Sequence, residues 1–582
     1  MREREDSFTG RLWRIPEPDD HEPILGTPYP DFLTKLLRRR GIHDAAAAKR
    51  YLFDSPHVLP DAGLLPDAAA AIERIAAAVS TQEKVAIYGD FDVDGITSST
   101  ILSEAVAAVG GDVRPYIPDR FLEGYGLNRG ALQGLRDDGV GLVITADCGI
   151  TAREEVEFAS EIGLDVVILD HHSVPDETPD AVATVNPKLP DSEYPFDEMS
   201  TGGLAYRMAH LLLAHFGVAA GEERWLDLAA MSTVADVVPL VEDNRWLVAN
   251  GLAAMRQSER PGLRALIEVA GLWNQELDTD SIAFGLAPRI NAAGRLDHAL
   301  RAVELLSERD PDRAAEQAQE LDRLNLKRRR LTLEAMERAA AQLEMSDADA
   351  PITMIGDAEI PAGIVGLVAG RLAEEQHRPA VVWEEGPEFC RASCRSIAEF
   401  DMAAALRRCD DLLEKHGGHH MAAGFTVRTS NLPALKERLL QIAGEELAGL
   451  VLRPRLEVDG QVPLGRVSES QVGWLQRMAP FGAGNPVPMF VSTGVSLLEA
   501  DRVGEGGDHL RMRVRDGSQV WRAIGFRLGK TPVKQGDVVD LVWSLKRNGD
   551  RGMELEVHDL APSTGVGGGA ARAGAAVGVR SR

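Results

Sequence analysis

Cysteine is scarce in this chain. Cys148, Cys390, Cys394 and Cys409 are all it has, and they form neither a disulfide framework nor a paired Cys-x-x-Cys metal motif. A reducing cytoplasm is the compartment this usage suggests. Long apolar runs are missing too: none approaches the roughly 20 residues of a membrane span. The opening MREREDSFTG lacks the apolar core of a signal peptide. Cations are outnumbered, 63 Lys and Arg against 90 Asp and Glu, for a formal net charge of −27. That balance argues against a generally basic nucleic-acid binder, whose phosphate contacts leave a basic footprint. Basic residues cluster locally instead, as KRRR at 327–330 and as six arginines between 502 and 527. What remains is ordinary globular material: 582 residues, 44% hydrophobic and 26% charged, enough for several domains with cores.

The most informative stretch is 85–98, VAIYGDFDVDGITS. A β-rich apolar run stops at Asp90, Asp92 and Asp94, and a helical run follows Gly95. In α/β sheets, ligands bind beyond the carboxyl ends of the strands. Carboxylates crowded there repel one another unless a cation lies between them. A solvated acidic turn is the plain alternative for this stretch alone. The same pattern recurs, however. The run 142–145 leads to Asp147, 166–169 leads to Asp170, His171 and His172, and 231–240 (MSTVADVVPL) carries Asp236. Asp and His without sulfur are ligand chemistry for Mn²⁺ or a similar first-row ion rather than a structural zinc.

Strands alternate with helices over 81–300, predicting an α/β domain with a doubly wound, mostly parallel sheet. Further strands are expected at 113–117 and 181–185, with helices at 97–109, 152–162 and 201–216. Residues 1–80 read as a helical segment. Residues 301–346 read as a connecting helix interrupted only by Pro311, and 347–450 as a second, smaller α/β domain. Five strand candidates (491–498, 509–514, 520–526, 538–546 and 553–558) predict an OB-fold barrel over 451–562. There Trp521, Phe526 and Trp543 either stack bases or fill the core. The Gly/Ala-rich 563–582 reads as a disordered tail.

The motifs GDFDVDGITS, ADCGI, LDHH and STVADVVPL, in this order, resemble the DHH phosphoesterase superfamily. RFLEGYGL (120–127), FGLAPRINAAGRL (284–296), GGHHMAAG (417–424) and PFGAGNPVPMF (480–490) narrow the resemblance to its RecJ branch, over residues 13–561. The resemblance implies a DHH domain, a DHH-associated (DHHA1) domain and an OB-fold, with 1–80 packed on the catalytic domain. It implies hydrolysis of single-stranded DNA from a free 5′ end to 5′-mononucleotides, by a two-metal mechanism, in repair and recombination. The expected cofactor is Mn²⁺, two per site, with Mg²⁺ as the alternative. By resemblance Asp92, Asp94, Asp147, His171 and Asp236 are metal ligands, with Asp147 bridging. Asp90 and Asp170 orient ligands, and His172 contacts the phosphate, so that Asp90, Asp147 and His172 form the catalytic set. Arg120, Arg289, Asn291, Arg295, Ser393, Arg395, Gly418 and His419 are the implied substrate contacts. A single-strand-binding protein and a helicase are the implied partners of a monomer that does not engage membranes.

Two departures from the family pattern stand in the second domain. Ala392 and Cys394 occupy places where glycines are expected, and Ile360 with Pro361 replaces Trp-His. Backbone N–H groups at 393–396 are nonetheless expected to be free for a phosphate, and the Gly417–Gly418 pair to form an anion nest. Two alternatives share parts of these motifs. A DHH phosphodiesterase for short oligonucleotides or cyclic dinucleotides lacks the barrel and RFLEGYGL. A non-catalytic replication scaffold loses metal ligands, all of which are present here.

Overall fold

Val85, Ala86, Ile87 and Tyr88 are all fully buried in the strand Lys84–Gly89. A strand apolar on both faces needs cover on both. Val85 and Ile87 share a core with helices Ala68–Thr81 and Val93–Ala108, and Ala86 and Tyr88 share one with Arg129–Asp137 and Arg153–Glu161. The sheet is therefore doubly wound. This computed structural model describes residues 1–17, 24, 26–53, 59–345, 350–547 and 552–563. Its chain divides into a larger unit, Pro56–Leu452 with Pro480–Pro486, and a smaller one, Met1–Ser55, Arg453–Ala479 and Val487–Arg582.

In the larger unit five strands run parallel in the order Asp112–Tyr116, Lys84–Gly89, Val140–Ala146, Asp165–Leu169, Ala183–Val185. The order reverses between Lys84–Gly89 and Val140–Ala146. Connections depart in opposite directions there and leave a crevice at the carboxyl ends. Helix Val93–Ala108 starts four residues earlier than its apolar spacing predicts, because the Asp92 carboxylate caps it by accepting from the Asp94 and Gly95 N–H groups. Pro311 opens rather than breaks the connecting helix. It sits at the first position of Pro311–Glu344 behind the Asp310 cap, and the separate helix Leu300–Ser307 precedes it.

The second lobe of this unit is a mixed sheet in the order Leu413–His419, Ala422–Arg428, Phe389–Arg395, Ala380–Glu384, Thr353–Asp357, with helix Ala362–Gln376 against it. Two expectations fail here. Residues 393–395 belong to a central strand, paired with Ala422–Gly424 on one side and Ala380–Val382 on the other, so sheet neighbours occupy their backbone groups. Gly417 and Gly418 lie in a β-hairpin, not a nest. Gly418 has φ of +137°, and a Cβ there would stand 2.4 Å from the Ala422 carbonyl.

In the smaller unit five strands close into a barrel: Phe490–Val503, His509–Asp516, Gln519–Gly525, Met553–Pro562 and Val538–Arg547, the last pairing back with the first. Closure removes the exposed edges of an open sheet. Trp543 is a core residue whose indole N–H donates to Ser492, while Phe526 is 46% exposed. The N-terminal segment differs from the helical one expected over 1–80. Its first 55 residues belong to this unit and include strands Arg2–Arg4 and Leu12–Ile15. Leu12–Ile15 pairs in parallel with Arg455–Glu457, and Trp13 is fully buried, donating to Asp559. A pairing partner some 440 residues away leaves no mark on local sequence. Of the expected tail, 564–582 lie outside the described residues. No helix among the described residues is long and apolar enough to cross a membrane.

Candidate active site

The acidic strand tips converge at the crevice. Asp90 and Asp92 follow Lys84–Gly89, Asp147 follows Val140–Ala146, and Asp170, His171 and His172 follow Asp165–Leu169. Asp236 arrives from the C-terminal end of helix Leu226–Ala235. His171 Nε2 lies 3.4 Å from Asp147 Oδ1, 3.4 Å from Asp236 Oδ2 and 3.8 Å from Asp94 Oδ2. Donor atoms of Asp94, His171 and Asp236 fall within 4.8 Å of one another, and so do those of Asp90, Asp92 and Asp147. Asp147 thus stands between two donor sets. Asp90, expected only to orient, offers an oxygen to the second set.

Backbone geometry makes this crowding possible. Asp147 holds the left-handed conformation, φ +72°, which turns its carboxylate into the crevice. Gly95 sits where a Cβ would approach the Asp90 backbone to 2.5 Å, so only glycine lets the two acidic turns nest. Asp94 is fixed by donors from the N-terminus of helix Thr201–His215: Thr201 N–H at 2.8 Å and Gly202 N–H at 2.7 Å, joined by the Ser232 hydroxyl. The Thr201 hydroxyl donates to Asp147 at 2.9 Å. Thr201, Gly202 and Ser232 escaped the sequence reading. Their only signal there is an STG triplet and the serine of MSTVAD.

Electrostatics point to cations in the cluster. Burial first, and neighbouring carboxylates second, push Asp90, Asp92, Asp147 and Asp236 above the ordinary carboxylate range, Asp236 up to about 8. Burial and the adjacent His172 pull His171 down to about 4, so its imidazole is neutral, as a ligand's must be. Asp90 Oδ1 and both ring nitrogens of His171 are buried without a hydrogen-bond partner. Unpaired buried donors of N and O type in converging sets fit divalent cations. Asp170 has a different role. It accepts from the N–H groups of Ile150, His171 and His172 and from His172 Nδ1 at 2.7 Å, which holds that ring in place. Cys148, beside Asp147, is buried, and burial raises its thiol well above the usual range, which leaves it an inert packing residue.

A basic cluster adjoins the acidic one. The Arg120 guanidinium lies 4.5 Å above the Phe91 ring, and Tyr125 packs edge-on to both Phe91 and His172. Burial lowers the pKa values of Arg120, Arg295 and Arg395, and Arg295, which the charges of Arg120, Arg328 and Arg395 lower further, falls to about 9. Arg120 also feels Asp90 and Asp92. Among the described residues none of these three forms a salt bridge. Arg295 donates to the Gly363 carbonyl, and Arg395 to Ser393 Oγ and the Cys394 carbonyl. Asn291 lies one helical turn from Arg295 on helix Ala287–Leu296.

Other expected contacts end up differently. Arg289 is committed to the scaffold, bonded to Asp322 at 2.9 Å and to the Gly285 and Val269 carbonyls. Gly418 and His419 are exposed on the hairpin, and His419 pairs with Ala422, itself the partner of Arg395, so they sit at the same end of the sheet. Strand alternation also resolves the glycine replacements. Ala392 and Cys394 point into the lobe's core while Ser393 and Arg395 point the other way. Ile360 is likewise fully buried, and Pro361 caps helix Ala362–Gln376.

Residues 84–233 match the DHH family, N-terminal domain, residues 349–445 the DHHA1 domain and residues 458–559 the RecJ OB domain. The chain is 35% identical to the single-stranded-DNA-specific exonuclease RecJ of Bacillus subtilis over 564 residues, 95% of this chain and 71% of that protein. It is 33% identical to the protein of the same name from Dickeya dadantii, over 93% of this chain and 98% of that one. The crystal structure of RecJ from Thermus thermophilus in complex with Mn²⁺ superposes with a TM-score of 0.79 at 30% identity, covering 96% of this chain and 81% of that one. A structure of that protein in complex with Mg²⁺ gives 0.74 at 29% identity, over 96% and 80% of the two chains. With identity of this degree along nearly the whole of its sequence, and with acids, imidazole and barrel all in place, the chain belongs to the RecJ family.

Proposed function

We propose that this chain is a divalent-metal-dependent exonuclease that hydrolyses single-stranded DNA from its 5′ end and releases 5′-mononucleotides. One observation carries the reading: among the described residues, buried and half-buried acids that no Lys or Arg pairs with adjoin half-buried arginines that no acid pairs with. Asp94, His171 and Asp236 would hold one ion and Asp90 and Asp92 the other, with Asp147 shared, and Mn²⁺ or Mg²⁺ suits these donors. When bound, such ions supply a nucleophilic water at neutral pH and offset charge on the attacked phosphate and leaving oxygen.

The chain's own residues do the rest. Thr201, Gly202 and Ser232 hold Asp94, and through it the acidic cluster, before substrate arrives. With Nδ1 bonded to Asp170, His172 presents Nε2 to a phosphate oxygen. The Tyr125 and Phe91 rings offer faces to bases. Arg120, Arg295 and Arg395, with Ser393, receive the terminal phosphate, whose extra charge and three oxygens suit guanidinium groups better than an internal diester does. That preference sets the 5′ polarity. The barrel unit adds Phe526 and the exposed Arg515 as strand contacts. A single-strand-binding protein and a helicase would present the strand to a monomeric enzyme in the cytoplasm, a compartment that suits four buried thiols.

Digestion of 5′-labelled and 3′-labelled single strands with Mn²⁺ or Mg²⁺ tests this. The 5′ label should appear at once as mononucleotide, while the 3′-labelled strand shortens gradually. Release of the 3′ label first, or hydrolysis in the presence of a chelator, would sink the proposal.

A further inference from the structure

One sequence motif, PFGAGNP at 480–486, has no part in the chemistry above. It belongs to the larger unit although the chain on either side of it belongs to the smaller. Its own turn is closed by paired backbone hydrogen bonds between Gly482 and Asn485, and the buried Asn485 amide donates to the Pro480 carbonyl at 2.7 Å. It is then held to the larger unit at three points. The Leu240 N–H donates to the Ala483 carbonyl at 2.7 Å, Arg245 Nη1 to the Pro480 carbonyl at 3.3 Å, and the Thr279 hydroxyl to the Phe481 carbonyl at 2.7 Å.

What it grips is the turn that follows Asp236. Val237 has φ of +61°, a left-handed conformation that a β-branched side chain avoids. Its side chain is 69% exposed, so packing does not hold it there. Its N–H closes the preceding helix by donating to the Val234 carbonyl at 3.3 Å, and the chain from Val238 to Leu240 then runs directly into the motif. A Cβ on Gly482 would meet the Leu240 side chain at 2.7 Å. One on Gly484, which has φ of +68°, would meet Pro239 Cβ at 2.9 Å. Both glycines are needed for this close approach. On the other side the Asn244 amide donates to the Pro239 carbonyl at 3.0 Å.

We propose that PFGAGNP is a clip that holds the strained Val237 turn and so positions the Asp236 carboxylate for its metal ion. The clip rests on the metal-centre reading above. Its residues touch neither ion nor substrate and act through Asp236, so they are positioning residues.

Mn²⁺ titration of the full-length protein without DNA, followed by the electron paramagnetic resonance of the free ion, tests the clip. Gly484→Ala should weaken one class of Mn²⁺ sites roughly tenfold or more, the range seen when support behind a ligand is lost, and leave the other class unchanged. In turnover the half-saturating Mn²⁺ concentration should rise while kcat at saturating Mn²⁺ stays near wild type. Adding Val237→Gly to Gly484→Ala should restore most of the affinity, because glycine takes the left-handed turn without help. Thr279→Val, which removes one anchor without crowding, should weaken the same class by a smaller factor. It decides the matter if Gly484→Ala does not fold. A Gly484→Ala isotherm that coincides with wild type would overturn the clip, as would a loss that Val237→Gly fails to recover. If the wild type takes up no Mn²⁺, the metal-centre reading itself falls, a result distinct from the other two.

Discussion

Three buried and two half-buried carboxylates crowd one part of the crevice in the larger unit, and three half-buried guanidinium groups crowd the part beside it. Both clusters follow the rule that burial and like neighbours disfavour the charged form, so the acids shift up and the arginines down. Construction is where they differ. The acids sit mostly on the tips of one continuous sheet and accept fixed donors from Thr201, Gly202 and Ser232. The arginines come from the loop bearing Arg120, from helix Ala287–Leu296 and from strand Phe389–Arg395, on two lobes, and bond mainly to backbone carbonyls and one serine. A rigid cluster suits bond breaking, which tolerates little misplacement. A cluster assembled across two lobes suits selection of a strand end. A third site gives the contrast. Glu104 has its counter-ions within the chain: it accepts from Arg260 at 2.7 and 3.1 Å, from Arg309 at 2.9 Å and from Trp225 at 2.7 Å. Burial alone would raise its pKa, but the Arg260 hydrogen bonds and charge lower it instead.

The largest effect expected is on the rigid cluster. Asp147→Ala should reduce hydrolysis by about a thousandfold or more, since on the proposed reading the carboxylate that stands between the two donor sets would serve both and could not be replaced by water. Hydrolysis of labelled single strands near the wild-type rate would dissolve the distinction between the two clusters.

Next comes the satisfied ion site. Glu104→Gln should destabilise the larger unit by about 3 kcal/mol in denaturant melts at neutral pH. Because the folded-state pKa is lowered, the stabilisation is present above the ordinary value of 4.5 and is lost as pH falls through the lower folded value. The gap between wild type and variant should therefore close in acid. A gap that widens there would give Glu104 the wrong sign.

Arg395→Ala should weaken use of a 5′-phosphorylated strand roughly tenfold to hundredfold, the equivalent of ~1.4–2.8 kcal/mol, and spare a 5′-hydroxyl strand. Comparison of kcat/KM on the two ends measures it. Equal losses on both ends would remove Arg395 from end selection.

The smallest effect lies in the barrel unit. Trp13 and Arg4 are bonded to Asp559 and Asp540 of the barrel, so a point substitution tests its face more cleanly than truncation. Arg515→Ala should weaken single-strand binding a few-fold and reduce the salt slope by about 1. An unchanged slope in binding titrations would show that Arg515 meets no phosphate.

Much of the site was legible before folding. An apolar run stopped by Asp or His is a local pattern, and in a doubly wound sheet it has one meaning, a strand tip at the ligand-binding edge. Asp90, Asp92, Asp147, Asp170 and His171 could thus be read in line, as could the barrel's five strands from their period of two. Arginines carry no such pattern. Arg289 and Arg295 stand six residues apart on one helix, yet one is neutralised by Asp322 and the other faces Arg120 and Arg395.

By itself the sequence determined which side chains end the strands, and therefore that cation chemistry gathers at one edge of one sheet. Tertiary structure alone decided which donors aim those side chains, which arginines stay unpaired, that the first strands pair beside Arg455–Glu457, and that residues 480–486 grip the turn after Asp236. The physical reason is range. Propensity and periodicity act over a few residues, whereas a hydrogen-bond partner or a counter-ion is chosen by distance in space.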